Sequence, residues 1–313
     1  MASDATRILM LHRVLEDAPA AFDLPSSYRM RGTALTVDEL VRVVEDAGPI
    51  LPLDAVERAV ADGDGPPAGS VLTFDDGYRE HIDVVAPLLA ERGVTATFYV
   101  AAGLHGEGSD VAVVDAWYWL LDHAVERVAW VPLPGGGEYE GRIDTYEGKA
   151  AWVGGEPKAA LLAATAPQQA AMIEALAESV RCAPPTDLAA RLYLRRSEWS
   201  ALVGLGMRVG AHSVSHPRLT QVEDEVLRAE VQGSVDAVRA LGGSVAFAYP
   251  DGAYDERVVR EVRRAVVSSS VACEQGVVRR GGDLMRLPRV FVASAPNAPG
   301  DTSAIPGKSP LAG

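Results

Sequence analysis

Seven short, β-rich apolar runs recur along this chain, and segments with helical patterning lie between most of them. The runs are 7–12, 70–74, 95–101, 207–212, 245–249, 267–272 and 287–292. Strands joined through a helix cannot close as a tight hairpin, so the crossover brings them out parallel. A chain that repeats this step has two architectures open to it: a (β/α) barrel or a doubly wound sheet. Both collect the carboxyl ends of the strands on one side. The polar residues of this sequence sit at those ends: His12 after the first run, Asp75 and Asp76 after the second, His212 and His216 after the fourth, and Asp251 after the fifth. We expect an α/β fold, a parallel (β/α) barrel that need not be complete, with the doubly wound sheet as the alternative. Its site should lie on the carboxyl face.

Helix signals fill the intervals. Thr36-Val37-Asp38-Glu39 is a capping box and predicts a helix to about Ala47, stopped by Gly48 and Pro49. Further helices are expected at 53–61, at 80–92, from a second capping box at Thr220–Glu223 to about Leu241, and at 254–265. Residues 16–34 hold Pro19, Pro25 and Gly32 and read as a loop. Residues 104–200 break the rhythm. Val113 to Val128 reads as helix and carries Trp117, Tyr118 and Trp119, Glu138 to Ile143 alternates like a hairpin, and 157–182 is alanine-rich and helical. This block is expected as a helical and hairpin insertion, a candidate lid, between barrel segments 1–103 and 201–294. Its aromatics read as ordinary core before they read as a substrate platform. Residues 295–313 are expected to form a disordered tail.

The chemistry begins at Val71-Leu72-Thr73-Phe74-Asp75-Asp76-Gly77-Tyr78, where an apolar run ends in paired carboxylates. Burying such a pair is costly unless a cation or strong donors compensate. Adjacent strand residues point to opposite faces, but a glycine turn lets both carboxylates reach one cleft. The plain alternative is a capped Asp-Gly turn. Two imidazoles, His212 and His216, joined with Asp76 and with open positions left over, suit zinc or another divalent transition metal. On their own the two histidines read as polar loop residues. A cation there would polarise a carbonyl and acidify water. Asp75 would be free to take a proton, a backbone N–H near Asp251 to bind an oxyanion, and His12 to protonate a departing amine.

Composition narrows the substrate. A net charge of −14 argues against phosphate-backbone binding, which needs clustered cations, so no nucleic acid partner is expected. No apolar run is long enough to span a membrane. The residues after Met1 do not read as a secretory signal, and two cysteines, Cys182 and Cys273, do not make a disulfide framework. A cytoplasmic location is the expectation.

Three motifs carry a resemblance. Thr73-Phe74-Asp75-Asp76-Gly77, His212-Ser213-Val214-Ser215-His216 and Phe247-Ala248-Tyr249-Pro250-Asp251-Gly252 resemble, in order and spacing, the first three motifs of the polysaccharide deacetylases. These are the family 4 carbohydrate esterases with a NodB-homology domain. The resemblance covers 7–101 and 207–292. It implies an irregular (β/α)7 barrel and metal-dependent removal of N-acetyl groups from amino sugars. It implies Asp75 as base, Asp76, His212 and His216 as ligands of one divalent metal, and the Asp251 amide as oxyanion donor. Zinc is the first choice of metal, with cobalt, nickel or manganese as alternatives.

The chain departs from the family pattern at three places. Ala248 stands where many members have an arginine that orients the base, and Asp251 stands where an aromatic residue is common. The late run Leu287-Pro288-Arg289-Val290 lacks the usual acid histidine. The opening Leu11-His12-Arg13-Val14 resembles the branch that includes poly-N-acetylglucosamine deacetylases, so His12 is assigned as the acid. Arg289 is assigned as the replacement arginine that pairs with Asp75. The expected substrate is an N-acetylated saccharide or glycan precursor; the alternative is a non-sugar or natural-product amide cleaved at the same site. Oligomeric state is not readable.

Overall fold

A computed structural model describes residues 5–16, 19–106, 108 and 110–294. The expected tail, 295–313, lies outside the described residues. Each of the seven β-rich runs supplies one strand: β1 (Thr6–Leu11), β2 (Gly69–Phe74), β3 (Thr97–Val100), β4 (Arg208–Ala211), β5 (Ala246–Ala248), β6 (Ser269–Val271) and β7 (Val290–Phe291). All neighbours pair in parallel, in the order β6-β5-β4-β3-β2-β1-β7. At the far edge, Val271 of β6 bridges to Leu287, and the same segment runs on into β7 beside β1. The two edges of the sheet are therefore joined through residues 287–291. This is a curled, irregular barrel and not a doubly wound sheet.

Alternation along the strands decides what lies inside. Ile8, Val71, Tyr99, Ala246, Ala248 and Val271 share one buried cluster with Leu53, Val56 and Val60. The last three lie on the helix Leu53–Ala61. Burying one such aliphatic side chain stabilises the fold by about 1.5–3 kcal/mol. The Tyr99 ring fills space that only glycine leaves open. A Cβ on Gly210 of β4 would lie 2.4 Å from it. The same two-residue period carries the inward face from Ile8 to Met10 to His12, and from Val71 to Thr73 to Asp75. The register of β1 on β2, Leu11 opposite Phe74, sets His12 level with Asp75.

Residues 15–36 and 111–186 belong to a second compact unit. Its core holds Trp117, Tyr118 and Trp152, and the Trp117 indole N–H donates to the Trp152 carbonyl. The expected hairpin is present, Val128–Pro132 antiparallel to Glu138–Arg142. Three local expectations need correction, and one helix was not expected. The helix expected over 113–128 ends at Asp122, because Val128–Pro132 switches to period two and buries Ala129 and Val131 alone. The expected loop 16–34 contains the helix Ser27–Arg31, capped by the Ser26 hydroxyl and ended by left-handed Gly32. A helix at Tyr146–Gly154, capped by Thr145, was hidden by its glycine and aromatic content. The helix expected from Thr220 begins at Asp224, since Thr220 sits in a 3₁₀ turn and Val222 and Glu223 are extended. Among the described residues no helix is long and apolar enough to cross a membrane.

Candidate active site

The second strand delivers both carboxylates to one side by a reversal of the backbone. The Asp75 N–H donates to the Leu11 carbonyl at 3.0 Å, adding one rung to the β1–β2 ladder. The next two residues, Asp76 (φ +75°) and Gly77 (φ +72°), are both left-handed. Outside glycine that conformation costs about 1–2 kcal/mol, and aspartate is among the residues that tolerate it. The turn brings Asp76 back towards the side that Asp75 already faces.

There Asp76 meets the two histidines. Its Oδ1 lies 3.4 Å from Nε2 of His212 and 3.3 Å from Nε2 of His216. One donor atom from each residue falls within 4.8 Å of the others. The tautomer of His212 follows from its other nitrogen. Nδ1 is 2.8 Å from the Ala248 carbonyl, which can only accept, so Nδ1 carries the proton. The Nε2 atoms of both histidines therefore face one carboxylate oxygen, the donor types that a divalent cation takes. Burial opposes ionisation of Asp76, but the facing His212 and His216 hold its carboxyl well below the usual range. This donor set fits a divalent transition metal.

The loop that carries the histidines is itself strained and clamped. Ser213 (φ +62°) and His216 (φ +59°) are left-handed. Glu230, buried on the helix Asp224–Arg239, accepts the N–H groups of Val214 and Ser215 at 2.8 Å each. Its other oxygen accepts the Ser215 hydroxyl at 2.6 Å. The sequence reading missed Glu230, although a signal exists. It interrupts the buried stripe Leu227, Val231, Ser234, Val235, Val238, where a carboxylate needs a partner. Glu230→Ala should leave those donors unpaired and weaken zinc binding by about 10- to 100-fold. Glu230→Gln, whose amide oxygen still accepts both N–H groups, should stay near wild type. Calorimetric titration with zinc reads both outcomes.

Asp75 has a different partner. The Arg289 guanidinium grips it with two parallel bonds, 2.8 Å to Oδ1 and 2.7 Å to Oδ2. Arg289 is fully buried and also donates to the Ala272 carbonyl and the Thr73 hydroxyl. Burial works against the Asp75 charge, but Arg289 first, with His212 and His12, holds the carboxyl below its ordinary value. Burial likewise opposes the charge on Arg289, and Asp75 raises its pKa further from neutrality.

His12 lies near enough to feel both carboxylates, which partly offset a lowering of its pKa by burial. Its Nδ1 is buried without a hydrogen-bond partner among the described residues, and its ring meets Phe291 edge-on at 6.0 Å. Asp251 (φ +54°) sits in the 250–252 turn after β5. Its carboxylate lies 3.7 Å from Nε of Arg218. The fold thus gathers Asp75, Asp76, His12, His212, His216 and Arg289, while the Asp251 side chain pairs with Arg218.

A parallel barrel with paired carboxylates and two histidines at its strand ends has the makings of a hydrolase site, and the family follows from a sequence profile. A family profile described as polysaccharide deacetylase matches residues 62–119 and 169–268. The chain belongs to the polysaccharide deacetylase family. No curated protein sequence matches it. Among solved structures it is similar to the Streptococcus pyogenes deacetylase PplD, at 16% identity and a TM-score of 0.53, covering 94% of this chain and 93% of that one. It is similar to IcaB from Ammonifex degensii, at 15% identity and a TM-score of 0.54, covering 93% of each chain. The BpsB deacetylase domain from Bordetella bronchiseptica aligns at 14% identity and a TM-score of 0.55, over 92% and 96%. At these identities the structural likeness speaks to the fold.

Proposed function

We propose that this protein hydrolyses the N-acetyl group of an amino sugar, releasing acetate and the free amine. The observation that carries the reading is one cluster with two unlike carboxylates. Asp76 faces two imidazoles, and Asp75 is paired with a buried arginine. The split suits two roles. Asp76, His212 and His216 would hold a divalent metal, zinc before cobalt, nickel or manganese. Such an ion supplies Lewis acidity, polarising the amide carbonyl and acidifying water.

The remaining steps fall to the chain's own groups. Asp75, kept ionised by Arg289, takes a proton as water oxygen bonds to the carbonyl carbon. The backbone N–H of Asp251 donates to the oxygen on which charge develops. When the C–N bond breaks, His12 protonates the departing nitrogen. Burial disfavours its charged form, so His12, once protonated, gives its proton up readily, and the proton that Asp75 took from water replaces it.

The test is acetate release from a panel of N-acetylhexosamines: free sugars, short oligomers, glycosides and sugar nucleotides. Protein stripped with a chelator should be inactive, and added zinc or cobalt should restore release. Asp75→Asn serves as the control. Acetate from wild type alone supports the reading, and the best panel member sets the substrate size. A zinc-loaded protein that released nothing from any sugar but cleaved a non-sugar amide would overturn it.

A further inference from the structure

A histidine that moves a proton is ordinarily aimed by a hydrogen bond to its second ring nitrogen. His12 has none: its Nδ1 is buried and unpartnered among the described residues. Whatever aims this ring must therefore act on its main chain. The His12 carbonyl is in fact held, at 2.8 Å, by Nε2 of His81. The carbonyl can only accept, so His81 donates from Nε2 and is locked in one tautomer.

The surroundings of His81 show what that bond is worth to the fold. The ring is fully buried, with centroids 5.6 Å from Phe74, 5.9 Å from Tyr78 and 5.2 Å from Phe98. Among the described residues its Nδ1 has no partner. Leaving such a buried polar atom unpaired costs about 1–3 kcal/mol. A phenyl ring would fill the same aromatic box without that loss. Packing therefore does not account for a histidine here, and the bond to residue 12 does.

The next residue is tied to the same place. Arg13 makes two buried bonds to Glu80, at 2.7 and 3.1 Å, and its guanidinium lies 4.5 Å over the Tyr78 ring. Residues 78–81 follow Asp75 and Asp76 on the turn after β2, and a π-turn spans His81–Val85. Such turns put one extra residue into a helix and recur at functional sites. The exit of β1 is thus latched to the segment that carries the paired carboxylates.

We infer that His81 and Glu80 are positioning residues for the deacetylation step, aiming His12 at the departing nitrogen by fixing the main chain of residues 12 and 13. The inference rests on the reading of His12 as the acid. It has a signature that a structural role would not give. An amide must be protonated at nitrogen to break, whereas p-nitrophenolate leaves an acetyl ester without help.

The experiment compares an N-acetylglucosamine oligomer with p-nitrophenyl acetate, using zinc-loaded full-length protein and thermal melts as a check on folding. His81→Phe should lower kcat on the amide by about 10- to 100-fold, the scale of a misplaced catalytic group. KM for the amide and turnover of the ester should stay near wild type. His81→Gln, which keeps a donor within reach of the carbonyl, should recover most of the loss. In a His12→Ala background, His81→Phe should add nothing.

Equal losses on amide and ester, or a full additional loss in the His12→Ala background, would overturn the inference. So would a normal amide rate in His81→Phe beside a slow His12→Ala, which leaves the reading of His12 standing. An unchanged amide rate in His12→Ala would remove that reading and this inference together. If His81→Phe does not fold, Glu80→Gln loosens the second tie and should show the same split between amide and ester at smaller size; its absence counts against the inference.

Discussion

Asp75→Asn should lower kcat for deacetylation by about 10²- to 10⁴-fold, the range expected when a general base is removed. Asparagine matches aspartate in shape but cannot take a proton from water at any working pH. The change leaves Asp76, His212 and His216 in place, so zinc should bind the variant with near wild-type affinity. That pairing of lost turnover with kept metal separates loss of the base from loss of the ligand set. A variant of Asp76 should lose both.

Asp75→Asn also carries a stability effect. The amide retains one acceptor for Arg289 but turns an NH₂ group towards its second N–H. The buried guanidinium then has no counter-charge. Removing one partner of a buried pair typically destabilises by about 3–5 kcal/mol. Kinetics should therefore be read below the variant's melting transition. A folded, zinc-bound Asp75→Asn that turned over like wild type would end the assignment of Asp75 as base.

Much of this arrangement can be traced to local sequence. Strand ends were legible because β-rich runs stop at charged or imidazole residues, and the two-residue period then places His12 and Asp75 on the inward face. Arg289 drew attention through an absence, Ala248 standing where an arginine would orient the base. Glu230 and His81 were missed for a common reason: each acts on the main chain of a residue distant in sequence. Glu230 holds the 213–216 loop, and His81 holds the carbonyl of residue 12. Side-chain chemistry shows in a sequence, whereas a bond to a remote backbone shows only as a polar residue on an apolar face. The helix at 113–122 failed at its end for a different reason. Apolar residues recur at Ala124, Val125 and Val128, but residues 123–127 turn and the strand opens at Val128.

Arg289→Ala tests the pair from the other side, with a pH signature. In the wild type the Asp75 pKa is depressed below its ordinary value. The stability it contributes is thus fully present above about pH 4, where an unfolded aspartate ionises. It is lost as pH falls through the lower folded value. Without Arg289, burial is left as the main influence on Asp75 and acts to raise its pKa. Because the base must be ionised, the acid limb of kcat/KM should move to higher pH, while the neutral-pH plateau falls less than in Asp75→Asn. Chemical denaturation at pH 7 should show a loss of about 3–5 kcal/mol, since the carboxylate is then buried unpaired. Arg289→Lys keeps the charge but not the two-pronged grip, and should move the acid limb less. The limb reports ionisation and the plateau reports geometry, so the three variants separate these two duties. An Arg289→Ala protein with an unchanged pH profile and unchanged rate would show that Asp75 is held ionised by something other than the bond to Arg289.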